Sequence, residues 1–172
     1  AFDRLVAGSD AYITASASDR TVVVANTATT PTARMVVQPQ TPYPNAQIDE
    51  RLDQATRQRI LVDASGLVDA LLGDSTTSNI FVTGVAVQSG HLPLTADSVE
   101  RAITLNGVAV DRNIAAFRWG RAWANDPVGT ARRAGLDTVQ LEDLLALIAR
   151  LRADLDDYQN KAYAQRFADV ID

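Results

Sequence analysis

An α/β fold is predicted by the order of a few short segments. The run Thr21-Val22-Val23-Val24-Ala25 is apolar at consecutive positions, as expected of a strand covered on both faces. A second buried strand is expected at Arg59-Ile60-Leu61-Val62-Asp63, after a polar loop and a helical stretch. A helix opening at Ser65 then completes the order strand, loop, helix, strand, helix. That order is the βαβ rhythm of a doubly wound parallel sheet.

Taken along the chain, residues 1–8 read as a helix end or loop, and Asp10-Ala11-Tyr12-Ile13-Thr14-Ala15 reads as a short β-prone run. Ser16 to Arg20 turn the chain into the first strand. Asn26 to Thr32 end that strand with turn chemistry, and Arg34-Met35-Val36-Val37 reads as an edge strand. Pro39, Pro42 and Pro44 make Gln38 to Asn45 an extended connector. Asn45 is placed to cap a mostly polar helix running to about Gln58, with Ile48, Leu52 and Ala55 as its apolar face. Leu67, Val68, Leu71 and Leu72 give the helix from Ser65 its buried side, and Gly73 stops it.

The segment Ala96 to Asn106 carries the clearest helix signals. Thr95 stands at the N-cap, Asp97 lies in the first turn where a negative charge meets the helix dipole, and Gly107 lies just past the end. Val99, Ala102 and Ile103 share one face of it, opposite Asp97, Glu100, Arg101 and Thr104. The helical period resumes with Val110, Ile114 and Phe117 and ends in the cluster Phe117 to Arg121, so two short helices in a hairpin are predicted.

A longer string of residues here resembles a known family. Gly90-x-Leu92-Pro93-Leu94-Thr95, Glu100-Arg101-Ala102-Ile103, Leu105-Asn106-Gly107-Val108-Ala109-Val110, Asn113 and Ala116-Phe117-x-Trp119-Gly120-Arg121 resemble the end of the gamma domain of 2-oxoacid:ferredoxin oxidoreductases. The similarity is strongest to the fused indolepyruvate, or aryl-pyruvate, type. The resemblance implies that residues 1–125 are the second half of a three-layer, Rossmann-like gamma domain, a partial domain whose first half carries a glycine-rich turn. Residues 126–172 would then be a mainly helical extension or the start of the next domain. It also implies a buried helix at Asn79 to Val87, where the β-branched residues of Ile80-Phe81-Val82-Thr83-Gly84-Val85-Ala86-Val87 by themselves favour a strand. In that helix Asn79, Thr83 and Val87 fall on one face, Gly84 permits close approach of a neighbour, and Gly90 closes the end.

Beyond Asn125-Asp126-Pro127 the character changes. Gly129 and Gly135 bracket an Arg-Arg pair, and Asp137 with Gln140 resembles a capping box. A long amphipathic helix is predicted from there, with Leu144, Ile148, Leu151, Leu155, Tyr158 and Ala162 at heptad spacing. Tyr158-Gln159-Asn160-x-x-Tyr163-Ala164 resembles the helical region that follows the gamma domain in the fused enzymes.

Composition narrows the function. The 172 residues are 47% hydrophobic and 22% charged, enough to bury a core, and the net charge is −5. The acidic balance, spread along the chain, argues against nucleic acid or an anionic membrane as the main partner. No stretch approaches the roughly 18 apolar residues of a membrane span, and no secretory leader is evident, so a cytoplasmic setting is expected. The opening residue, Ala1, fits either a trimmed mature protein or a piece excised from a longer one, and the mid-domain start of the resemblance favours the excised piece. With no cysteine, the chain can build neither an iron–sulfur cluster nor a thiolate zinc site. His91, the only histidine, stands in a turn and reads as a bystander.

No Gly-x-Gly pattern occurs, so a phosphate-cradling loop is missing. Gly73-Asp74-Ser75 matches the opening of a thiamine diphosphate motif, but the asparagines that should follow it are absent. Clustered carboxylates such as Asp49, Glu50 and Asp53 read as a solvated face. The candidate ligand-facing residues are Asn26, Thr27, Thr30 and Thr32, because ligands of open α/β sheets settle outside the carboxyl ends of the strands. Asn26-Thr27 and Thr30-Pro31-Thr32 also match the family's pattern. Asn79, near a helix start, is a further candidate. The competing reading is that these groups satisfy their own turns.

The resemblance implies a parent enzyme that oxidatively decarboxylates aryl 2-oxoacids to acyl-coenzyme A and reduces ferredoxin. Thiamine diphosphate, magnesium and iron–sulfur clusters would be held by its other domains or subunits, while this segment packs beside them or helps receive coenzyme A. The segment alone is expected to be inactive, to hold no cofactor itself and to meet ferredoxin only through the whole enzyme. The alternatives are a helical module that self-associates as a homo-oligomer and a small-ligand regulatory domain.

Overall fold

In a computed structural model, the structure describes residues 3–29, 37, 38, 40 and 43–136. The elements are α1 (Arg4–Ala7), α2 (Asp10–Ala15), β1 (Val22–Asn26), α3 (Asn45–Ala55), β2 (Gln58–Val62), α4 (Ala64–Leu72), α5 (Ser78–Gln88), α6 (Ala96–Asn106), α7 (Val110–Asn125) and α8 (Pro127–Arg133). They belong, up to Gly135, to the first of two units of the chain, Ala1–Gly135. The described residues are mostly helical around a small parallel sheet, an α/β arrangement.

β1 and β2 pair in parallel, Val22 opposite Gln58 through Asn26 opposite Val62. Parallel strands need a crossover, and the connection containing α3 supplies it. Side chains alternate across the pleat, so each strand feeds two cores. Val24, Ile60 and Val62 join Leu67 and Val68 of α4 with Phe81, Val82, Val85 and Ala86 of α5. Val23, Ala25 and Leu61 join Ala7, Ile13, Ile48 and Leu52 from α1, α2 and α3. Burial on both faces is why β1 lacks the apolar-polar alternation of a half-exposed strand.

Charge ties the second core together at its rim. Arg4 pairs with Asp49 and donates to Asn45 Oδ1 at 3.1 Å, while Arg59 reaches both Asp49 and Asp53. The side-chain amide of Asn45 is therefore spent on Arg4. It does not cap α3 as expected: Asn45 is the first helical residue and Pro44 precedes it. The helix also stops earlier than expected, at Ala55, where the buried Thr56 hydroxyl donates to the Leu52 carbonyl at 2.7 Å. β2 begins at Gln58 instead of Arg59.

Other expectations are corrected as well. Asp10–Ala15 is helical and not extended: the amides of Tyr12 and Ile13 donate to the Ser9 carbonyl, and the helix turns Ile13 into the second core while Tyr12 stays exposed. Contact with the core outweighs the β propensity of the segment. On α6 only Ile103 of the expected apolar face is buried, since Val99 is half-covered and Ala102 is exposed. The hairpin's second helix is long, running through Trp123 to Asn125, because its apolar period continues past Arg121. The expected edge strand Arg34–Val37, apart from an exposed Val37, and the helix after Asp137 lie outside the described residues.

α5 is a helix, as the resemblance implies and as propensity alone does not. Its end is a glycine-closed turn: the Gly90 amide donates to Val87, the His91 amide to Ala86, and Gly90 adopts φ 74°. Gly73 and Gly107 close α4 and α6 in the same left-handed conformation.

Candidate functional site

The carboxyl ends of β1 and β2 carry the candidate ligand-facing residues. Asn26 is the last residue of β1, beside the junction of β2 and α4. Its Oδ1 accepts from the amides of Ala28 at 3.2 Å, Ala64 at 3.0 Å and Ser65 at 3.4 Å, and its Nδ2 donates to Ser65 Oγ at 2.7 Å. Asp63, the N-cap of α4, accepts from Gly66 on its carboxylate at 2.8 Å and from Leu67 on its carbonyl at 3.1 Å. The amides of Ala64, Ser65 and Gly66 are among those a helix leaves unsatisfied at its start, and each has a partner from the chain itself, while Leu67 makes the first intrahelical bond. A bound anion would have to displace Asn26 and Asp63 to reach them.

Thr27 sits beside this cluster, half-buried, with its amide donating to the Val62 carbonyl at 2.9 Å. Thr30 and Thr32 lie outside the described residues. Asn79 is exposed in the first turn of α5, its carbonyl accepting from the Thr83 hydroxyl at 3.0 Å, and among the described residues no hydrogen bond joins it to Asn26. The structure thus brings Asn26, Thr27 and Ser65 together and leaves Asn79 apart. Ser65 was legible only as a helix start. Its hydroxyl contact with Asn26 joins residues 39 positions apart, a separation no local pattern reports.

Gly73-Asp74-Ser75 is a structural turn. Asp74 Oδ1 accepts from the Thr76 amide at 2.9 Å and from its hydroxyl, and the carboxylate pairs with Arg112, which also donates to the Leu72 carbonyl at 2.8 Å. The Thr76 contacts, helped by Arg112, hold the Asp74 carboxyl below its ordinary range. A carboxylate so engaged does not fit the metal-ligating aspartate of a thiamine diphosphate motif. Among the described residues no group of three His, Cys, Asp or Glu side chains is gathered to hold a metal ion. His91 is exposed, and its backbone serves the end of α5.

The hairpin offers a second surface. Asp111, Ile114, Ala115, Arg118, Trp119 and Ala122 recur at helical spacing on α7 and line a groove of about 590 Å³. Arg118 is tied to Glu100 of α6 by a two-pronged pair at 2.8 and 2.6 Å, which lowers the Glu100 carboxyl and raises the Arg118 guanidinium. Arg121 stacks over Phe117 at 5.9 Å and donates to Gln88 at 3.0 Å. Phe117 is fully buried, while Trp119 and Trp123 are half-buried and pack against the first core, so the aromatic cluster is mainly core. No helix among the described residues is long and apolar enough to cross a membrane. Comparison with protein-family models, with curated proteins and with solved structures finds no match.

Proposed function

We propose that this chain is a packing domain, free of redox centres, of an aryl 2-oxoacid:ferredoxin oxidoreductase of the indolepyruvate type, and that its fold is part of a three-layer Rossmann-like gamma domain. The observation that carries the reading is α5. A segment whose β-branched residues favour a strand is a buried helix, as in the domain that the hairpin sequence resembles. Phe81, Val82, Val85 and Ala86 of α5 form much of the first core, and the hairpin follows directly.

In such an enzyme thiamine diphosphate and iron–sulfur clusters would supply the decarboxylation and electron-transfer chemistry from other domains. Neither group fits the described residues: cysteine is absent and Asp74 is bound to Arg112 and Thr76. What the chain supplies is shape. The exposed apolar side chains of Leu105 on α6 and of Leu94 and Val108 beside it surround a helix with one buried residue, and such surfaces suit contact with neighbouring domains. The carboxyl end of the sheet beside Thr27 is where coenzyme A would meet this chain, since the start of α4 is already occupied by Asn26 and Asp63.

The test mixes the purified chain with a polypeptide carrying the thiamine- and cluster-binding domains of an indolepyruvate oxidoreductase. Viologen reduction with indolepyruvate and coenzyme A is expected from the mixture and not from the chain alone. Activity of the chain alone, or no binding and no activity on mixing, refutes the proposal. The same exposed side chains also favour a self-associating module, and light scattering showing a stable homo-oligomer without any partner would favour that reading instead.

A further inference from the structure

Asn106 is the only asparagine in the chain that glycine follows. In that pair the glycine nitrogen attacks the asparagine side chain most readily, because glycine has no Cβ to shield its N–H. Both residues are exposed at the end of α6, and a Cβ built on Gly107 would meet nothing within 4 Å. Here the turn itself restrains the reaction. The Gly107 amide donates to the Thr104 carbonyl at 3.2 Å, Asn106 is held in the last helical turn, and Asn113 Nδ2 grips the Val108 carbonyl at 2.9 Å.

We propose that Asn106 is a deamidation site whose rate is set by opening of the α6–α7 turn. When the turn opens, the Gly107 nitrogen loses its proton to solvent base and bonds to Asn106 Cγ. The Cγ–Nδ2 bond breaks, and the nitrogen leaves as ammonia after taking up a proton. Water then opens the cyclic imide at either carbonyl, leaving aspartate or isoaspartate, with no change of oxidation state. Either product places a carboxylate at the negative end of the α6 dipole. Isoaspartate also lengthens the backbone by a methylene, which removes the Gly107-to-Thr104 register. The modification therefore works against re-formation of the turn that had restrained it. Ala109, the one non-glycine described residue at positive φ, 41°, lies in the same turn and adds strain that opening relieves.

The full chain is incubated at mildly alkaline pH, folded and in urea, and the tryptic peptide Ala102–Arg112 is followed by mass for conversion of amide to acid. Conversion in urea is expected, with conversion in the folded chain slower by roughly tenfold or more, as for a segment that opens only a small part of the time. Asn113→Ala is expected to raise the folded rate and leave the urea rate unchanged, and Gly107→Ala to slow the urea rate. Equal rates in the folded and urea samples overturn the control by the turn, as does a folded rate indifferent to Asn113→Ala. No conversion in urea, or acid appearing first at another asparagine, overturns the site.

Discussion

A side-chain carbon at Gly84 would stand 2.2 Å from the carbonyl oxygen of Phe117, and one at Gly120 would stand 2.0 Å from the carbonyl oxygen of Phe81. The relation is reciprocal: Phe81 and Gly84 on α5, and Phe117 and Gly120 on α7, share a Phe-x-x-Gly spacing, and each glycine receives the other helix's backbone. Both phenylalanines are fully buried. The backbones touch here, and neither carbonyl can rotate away without breaking its own helix.

Gly84→Ala and Gly120→Ala are therefore each expected to destabilise the fold. Alanine gains about 1 kcal/mol of helix propensity over glycine. Forcing a methyl into packed backbone costs about 1–3 kcal/mol, at times more, and the clash wins. Urea denaturation midpoints would check this, and the double variant should cost less than the sum, because the first methyl already separates the helices. A rise in midpoint for either single variant would contradict the close crossing.

Asn26 joins β1 to the start of α4 through one oxygen accepting from the amides of Ala28, Ala64 and Ser65. Asn26→Ala should lower stability by about 0.5–2 kcal/mol, the range for losing a helix cap. Asn26→Asp should cost less, since it keeps the acceptor and sets a negative charge at a helix start, losing only the donor to Ser65 Oγ. Thermal denaturation of the variants without ligand separates this structural role from ligand binding. A residue that serves ligand alone would leave both melting temperatures unchanged.

β1 and the glycine-closed ends of α4, α5 and α6 were legible because their causes are local. Val22 to Ala25 are apolar in a row, and Gly73, Gly90 and Gly107 supply left-handed conformations that other residues resist. What misled was long-range. Asp10–Ala15 looks extended until Ile13 finds the second core, and Asn45 looks like a cap until its side-chain oxygen accepts from Arg4. For the candidate site, the strand-end position of Asn26 was readable, but its engagement with Ser65 depends on how β2 and α4 arrive. Asn79 shows the converse: a residue type and a helix start give no information about what the side chain faces.

Stability should fall with acid through carboxyls held low in the fold. Asp74 is lowered by its hydrogen bonds to Thr76, and Glu100 by its hydrogen bonds to Arg118. A carboxyl with a depressed folded pKa binds protons more readily when unfolded, so its contribution is present above the ordinary carboxylate range, near 4, and is lost as pH falls through the folded value. Glu100→Gln and Asp74→Asn should each flatten the acid limb of a plot of urea midpoint against pH. Tyr43 has the opposite sense. Burial, with Asp3 nearby and Arg4 opposing, raises its phenol, so the stability it lends is present below the ordinary tyrosine range, near 10, and is lost as pH rises through the folded value. Tyr43→Phe should flatten the alkaline limb alone.

Two helices begin with the same device, an aspartate whose carboxylate accepts from the amide of a glycine three residues on. Asp63 and Gly66 start α4 with a bond of 2.8 Å, and Asp126 and Gly129 start α8 with one of 2.9 Å. In each case the other carboxylate oxygen fills the place of a glycine Cβ, at 2.4 Å for Gly66 and 2.0 Å for Gly129. Gly66→Ala and Gly129→Ala should therefore push the capping carboxylate aside, and the propensity gained by alanine should be offset by loss of the cap, worth about 1 kcal/mol. Asp63→Ala removes the cap without a clash, and adding Gly66→Ala to it should restore stability by letting alanine's propensity act unopposed. Hydrogen exchange at the first amides of α4 and α8 measures this directly. If Gly66→Ala proves more stable in the presence of Asp63 than in its absence, the carboxylate does not occupy that space.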